Sequence, residues 1–153
     1  MIHIVEYQKN LQTSINEMMI NISSEFEIGI SSNESLHTPL IPDLYWVALM
    51  NDNIIGTVGL SLVNDYAILK RMFIKKEFRG ASIGVSNMLL NRAITYCMSS
   101  KISEVYLGTM AQFIAAQRFY IKNGFDQILE NELPSGFMLN PLDSVFFRKV
   151  TKQ

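Results

Sequence analysis

The chain of 153 residues holds one cysteine, two histidines, one tryptophan and four prolines. A lone thiol excludes an internal disulfide framework and fits a reducing compartment. His3 and His37 stand far apart, and no Cys/His/Asp/Glu cluster has metal-ligand spacing, so no metal is expected. Excess charge is missing too: thirteen basic and fourteen acidic side chains leave a net charge of −1. No basic cluster exceeds two consecutive residues, which argues against a nucleic-acid partner. No run approaches the roughly 18 apolar residues of a membrane span. The start, "MIHIVEYQKN", lacks a charged stretch followed by a long apolar core, so it does not read as a signal peptide. A soluble cytoplasmic protein is expected, without membrane or nucleic-acid partners.

What the chain does have is apolar mass. Hydrophobic residues make up 48 %, enough for a sizeable core in one domain spanning 1–153. Ile2 to Tyr7 reads as a short strand. Leu11, Ile15, Met18, Met19, Ile22 and Phe26 recur at helical spacing. The Ser-, Asn- and Pro-rich segment from Gly29 to Asp43 reads as an irregular loop, long enough to suggest a function. "LYWVALM", "IIGTVGLSLV" and "YAILKRMFI" are strand patterns joined by the short turns "NDN" and "ND". A helix follows with Val85, Met88, Leu89, Ala93, Tyr96 and Cys97 on its buried face. "EVYLG" is a further strand. Thr109 and Gln112 form a capping-box pattern that opens a helix through "AQFIAAQRFYIK", and Asn123-Gly124 stops it. "FDQI" and "SVFFRKV" are closing strands around the loop "NELPSGF".

The stretch with chemical content is "FRGASIGV", Phe78 to Val85, set between a strand and a helix. A helix N-terminus presents unpaired N–H groups and favours an anion, and glycines let the backbone approach it closely. Gly80 and Gly84 flank the turn and Arg79 adds positive charge, so the stretch reads either as a phosphate-binding loop or as an ordinary strand–helix turn in which glycine only relieves backbone strain. Two nucleotide motifs are excluded. A P-loop needs Gly-Lys-Ser/Thr, but Gly84 is followed by Val85-Ser86. The dinucleotide fingerprint needs three glycines, and only two are present; Glu104 at about the right distance is a weak match alone.

With these residues in view the chain resembles the GCN5-related N-acetyltransferases. "LKRMFIKKEFRGASIG" looks like their fourth strand and pyrophosphate loop, and "AAQRFYIKNGF" like their later helix with its tyrosine. A further "YLGT…ELP…F.L…D..FF" pattern looks like a bacterial subgroup of the family. The resemblance covers roughly Trp46 to Ile128. It implies a mixed α/β (α+β) fold, with a mainly antiparallel sheet of six to seven strands flanked by about four helices. It also implies acetyl-coenzyme A as cosubstrate and transfer to an amine of a small molecule or peptide. A monomer or homodimer is expected.

In that family the fourth strand splays from the fifth and its main chain pairs with the pantetheine arm, here near Met72, Phe73 and Ile74. The resemblance puts the pyrophosphate on Arg79, Gly80, Ala81, Ser82, Ile83, Gly84 and Val85. Phe113 corresponds to a frequent asparagine that contacts the pantetheine arm. Ser82 replaces the first motif glycine, and Ala81 stands where a Lys, Arg or Gln is common.

From helical spacing alone Tyr120 reads as a core tyrosine with its hydroxyl on the rim; the resemblance implies that it is the acid that protonates the departing thiolate. Ile68 stands where many relatives have a glutamate base. The acidic alternatives are Glu27, Asp65, Glu132 and Asp143, of which Glu132 and Asp143 flank the "LPSGF" loop and are the better acceptor-side candidates. Cys97, at helical spacing, reads as core. The rival to an enzyme is a catalytically silent acyl-CoA sensor on the same fold.

Overall fold

The computed structural model describes residues 1–26, 41–80 and 82–151. Seven strands form one sheet: β1 (Ile2–Glu6), β2 (Leu44–Met50), β3 (Asn53–Val63), β4 (Tyr66–Ile74), β5 (Glu104–Thr109), β6 (Asp126–Ile128) and β7 (Val145–Val150). Their order is β1-β2-β3-β4-β5-β7-β6. Three α-helices lie among the described residues, against the expected four: α1 (Gln12–Ser23), α2 (Val85–Ser99) and α3 (Ile114–Lys122). β1–β2, β2–β3, β5–β7 and β6–β7 pair antiparallel, while β4 and β5 are parallel. Parallel neighbours need a crossover, and α2 supplies it, as the strand–loop–helix–strand pattern implied. The Gly29–Asp43 loop, His37 and Glu27 fall largely or wholly outside the described residues.

The first compact unit comprises residues 1–60 and 70–93. Asn51 and Asp52 both take positive φ, 51° and 65°, which is how a two-residue hairpin turn matches strand twist. Asn and Asp tolerate that conformation better than other side chains. Ile15, Met18 and Ile22 bury the apolar stripe of α1. Val47, Ala48, Ile55, Val58 and Leu60 bury the centres of β2 and β3. A Cβ on Gly56 would lie 2.8 Å from Ile74 Cδ1 and 3.1 Å from Leu89 Cδ1, so only glycine lets β3 meet the end of β4 and helix α2 this closely. The Lys75 N–H donates to the Ile55 carbonyl at 2.8 Å and fixes where β4 gives way to the loop. On α2, Val85, Leu89, Leu90 and Ala93 are buried; Met88, expected inside, is 37 % exposed.

The second unit comprises residues 61–69 and 94–153. Its parallel ladder pairs Ala67 with Val105 and Ile68 with Tyr106. Val105, Leu107, Phe125, Phe146 and Phe147 are buried there, as is Cys97. The capping-box expectation at Thr109 is overturned. Thr109 is the last residue of β5, paired with Val145, and α3 begins only at Ile114, after Phe113. Strand pairing holds Thr109 in extended backbone, and its carbonyl accepts the Ser144 N–H at 3.0 Å. The stop at Asn123-Gly124 is as expected: Gly124 has φ 91° and Asn123 Nδ2 donates to the Phe119 carbonyl at 2.8 Å.

Candidate active site

β4 carries a local irregularity just before the residues expected to meet the pantetheine arm. Arg71 has φ 53°, a conformation that non-glycine residues reach only at a cost. The Thr57 hydroxyl donates to the Arg71 carbonyl at 2.7 Å and holds the distortion. The Arg71 guanidinium lies over the Tyr45 ring at 5.9 Å. Met72 and Phe73 follow half-buried, and Ile74 is buried.

The chain then makes a short 3-10 turn at Lys76–Phe78 and enters the loop. Gly80 has φ 113° and Gly84 φ 82°, and among the described residues a Cβ built on either would meet nothing within 4 Å. Both glycines therefore border open space, and both need the freedom that only glycine has. Met88 N–H donates to the Gly84 carbonyl at 3.0 Å, the first bond of α2. The N–H groups of Val85, Ser86 and Asn87 precede it and form the end that a helix offers to an anion. Ser82 and Ile83 are exposed and Val85 is buried; Ala81 lies outside the described residues.

Arg79 is differently engaged from a free loop cation. Its Nε donates to the Ile74 carbonyl at 2.9 Å, while Nη1 and Nη2 donate to the two carboxylate oxygens of Glu25 at 2.6 and 3.0 Å. No short-range pattern marks a partner 54 positions away, so sequence reasoning missed Glu25.

In the second unit Tyr120 is buried, packed edge-on against Phe125 and tilted against Phe147. Burial raises the ionisation of its phenol well above the usual range, and the Asp143 carboxylate nearby raises it further. Asp143 approaches because residue 108 is glycine: a Cβ there would lie 2.9 Å from Asp143 Oδ2. The other acceptor-side candidate is built into its own loop, since exposed Glu132 takes the Leu129 N–H on Oε1 at 2.8 Å. Asp65 is an exposed turn residue. Phe113, half-buried, is the residue before α3.

Ile68 is buried with Tyr66 and Tyr106, and Val63, Ile128, Leu133 and Phe137 pack on them. The "LPSGF" loop thus covers the Ile68 position, and the Tyr66 hydroxyl ties it down by donating to the Ser135 carbonyl at 2.9 Å. The side chains that pack with Ile68 among the described residues are aliphatic or aromatic, and none of them is a carboxylate. Cys97 is core as expected: burial pushes its thiol up to about 11. Among the described residues, no group of three or more His, Cys, Asp or Glu is placed to hold a metal. Among them too, no helix is long and apolar enough to cross a membrane.

Residues 16–125 match the model of the acetyltransferase (GNAT) family. The chain belongs to the GNAT acetyltransferases. Its match to a zebrafish (Danio rerio) N-acetylaspartate synthetase is 35 % identical over 109 residues, 68 % of this chain and 38 % of that protein. The chain therefore spans about two fifths of the length of that curated relative. A GNAT-family acetyltransferase from Staphylococcus aureus superposes with a TM-score of 0.88 at 31 % identity, over 99 % of this chain and 100 % of that one. The fold also matches Neisseria gonorrhoeae N-acetylglutamate synthase, solved with coenzyme A and N-acetyl-glutamate, at TM-score 0.79 and 14 % identity, over 100 % of this chain and 36 % of that one.

Proposed function

We propose that this GNAT enzyme, acting as one domain over 1–153, is an acetyl-CoA-dependent N-acetyltransferase. It moves the acetyl group to a primary amine by direct attack in a ternary complex. The carrying observation is the Arg79–Val85 loop, whose two positive-φ glycines border open space at the start of α2. That cradle fits a pyrophosphate, since an anion there meets helix N–H groups and no Cβ at Gly80 or Gly84. Gly80, Ser82, Ile83, Gly84 and Val85 hold the pyrophosphate by their backbone. Met72, Phe73 and Ile74 offer main-chain groups to the amides of the pantetheine arm, and Phe113 packs on it.

Bound acetyl-CoA supplies an activated thioester. Tyr120 keeps its proton at neutral pH, because burial and Asp143 both disfavour the phenolate. It therefore acts as a standing donor to the sulfur as charge develops there. Ile68 takes no proton. The amine attacks in its neutral form, and Asp143, with Glu132 as the more solvated alternative, accepts the released proton through water. Similarity to N-acetylaspartate synthetase favours a small amino-acid-like acceptor over a peptide.

One observation favours a second reading, a silent acyl-CoA sensor: the apolar cluster around Ile68 replaces the base of many relatives. A thiol-release assay with acetyl-CoA and a panel of amino acids, polyamines and peptides separates them. Amine-dependent release supports the enzyme. Saturable coenzyme A binding without release from any amine supports the sensor.

A further inference from the structure

Glu25 stands just past the end of α1, its N–H on the Ile22 carbonyl at 3.0 Å. A helix C-terminus carries partial negative charge, so a carboxylate there is disfavoured. The last turn of α1 has no basic residue to offset it. What holds Glu25 is Arg79. The fork of Nη1 and Nη2 meets both carboxylate oxygens at 2.6 and 3.0 Å, and Nε reaches the Ile74 carbonyl at 2.9 Å. Three N–H groups of one rigid plane thus tie together the end of α1, the end of β4 and the residue before Gly80.

The side chains are 38 % and 22 % exposed for Arg79 and Glu25, and a lone pair at such exposure adds little stability. Its consequence is positional. A loop whose bends fall on two glycines has many accessible conformations, and ordering it on binding lowers affinity unless something fixes it beforehand. The guanidinium fork fixes its first residue.

We infer that Glu25 is a positioning residue of the cofactor loop: through Arg79 it presets the entry of the loop at Arg79 and Gly80 for the pyrophosphate, and the Arg79 side chain does not itself contact phosphate. The inference rests on the acetyl-CoA reading above and adds a residue outside the recognised motifs.

Calorimetric titration with coenzyme A tests it on the full chain with Glu25→Gln, Glu25→Asp, Arg79→Gln and the Glu25→Gln/Arg79→Gln pair. Each single variant should raise Kd about fivefold, the scale of one well-oriented exposed pair. The double variant should be no worse than the weaker-binding single one, because both remove the same interaction. KM for acetyl-CoA should rise with Kd, while kcat stays within about twofold. Melting temperatures close to wild type will show that Glu25→Gln and Glu25→Asp fold normally. Unchanged or tighter binding by Glu25→Gln would overturn the inference, since freed Arg79 would then be acting on phosphate directly. Wild-type affinity in Glu25→Asp would also overturn it, because charge without geometry would suffice. So would fully additive losses in the pair. A wild-type protein that binds no coenzyme A at millimolar concentration would refute the acetyl-CoA reading itself, whereas binding by the wild type with no change in the variants refutes only the role of Glu25.

Discussion

Gly84→Ala separates conformational cost from cofactor contact. Gly84 has φ 82°, and its added Cβ would meet no atom of the described residues within 4 Å. The stability loss is therefore the backbone term alone, about 1–2 kcal/mol for forcing an L-residue into that region. For a domain of this size that lowers Tm by roughly 3–6 °C. If the open space is where the pyrophosphate sits, the same methyl group occupies it, and coenzyme A affinity should fall at least about tenfold, or ~1.4 kcal/mol. Gly124→Ala is the control. Gly124 has φ 91°, and its Cβ would lie 2.6 Å from Lys149 Nζ, the far end of a flexible side chain. It should lose comparable stability and keep wild-type affinity. Circular-dichroism melts and calorimetric titration with coenzyme A measure both. Equal affinities in the two variants would refute the placement of the pyrophosphate on this loop.

Tyr120→Phe should leave coenzyme A affinity nearly intact and lower kcat on the order of 10²-fold in steady-state kinetics. Because the phenol is raised above its ordinary value of 10.0, it stays protonated below that pH, so rate profiles should show no loss from Tyr120 up to about pH 10. Asp143→Asn removes the smaller cause of the raised ionisation and should slow turnover by only about tenfold, water replacing one acceptor. With Ile68 at the usual base position, kcat/KM for a series of amines should rise with pH up to the pKa of each amine; one shared limb near pH 6 to 7 would instead reveal an enzymic base. Cys97, its thiol raised from 9.0 to about 11, should react with a disulfide reagent at pH 8 only as fast as the protein opens. The sign of its linkage follows: its contribution to stability is complete below pH 9 and is lost as pH rises toward about 11, so Cys97→Ala should flatten that decline.

Period and punctuation made most of the fold legible. β2 and β4 fall on the continuous runs "LYWVALM" and "YAILKRMFI", and Asn51-Asp52 turns where Asn and Asp turn best. Errors arose where a long-range partner outvotes a local pattern. Thr109 has good capping chemistry, but pairing with Val145 keeps it in β5. Met88 and Leu90 point about 200° apart around α2, and only packing decides that Leu90 is inside and Met88 is not. At the candidate site, Gly80 and Gly84 were legible because backbone demands write themselves as glycine. Arg79's commitment to Glu25 was not, since side-chain pairing across 54 positions leaves no local trace. The approach of Asp143 to Tyr120 was hidden for the same reason, and Gly108, which permits it, reads in sequence as an ordinary strand residue.

Everything proposed for this chain turns on acetyl transfer from coenzyme A straight to an amine nitrogen. Mass spectrometry after incubation with isotopically labelled acetyl-CoA and the amine panel tests it most directly. Label is expected on the nitrogen of an amine, in amounts matching the thiol released, with no label on the protein at any time before product forms. Label accumulating on the protein, or coenzyme A binding with no labelled amine from any member of the panel, would contradict it.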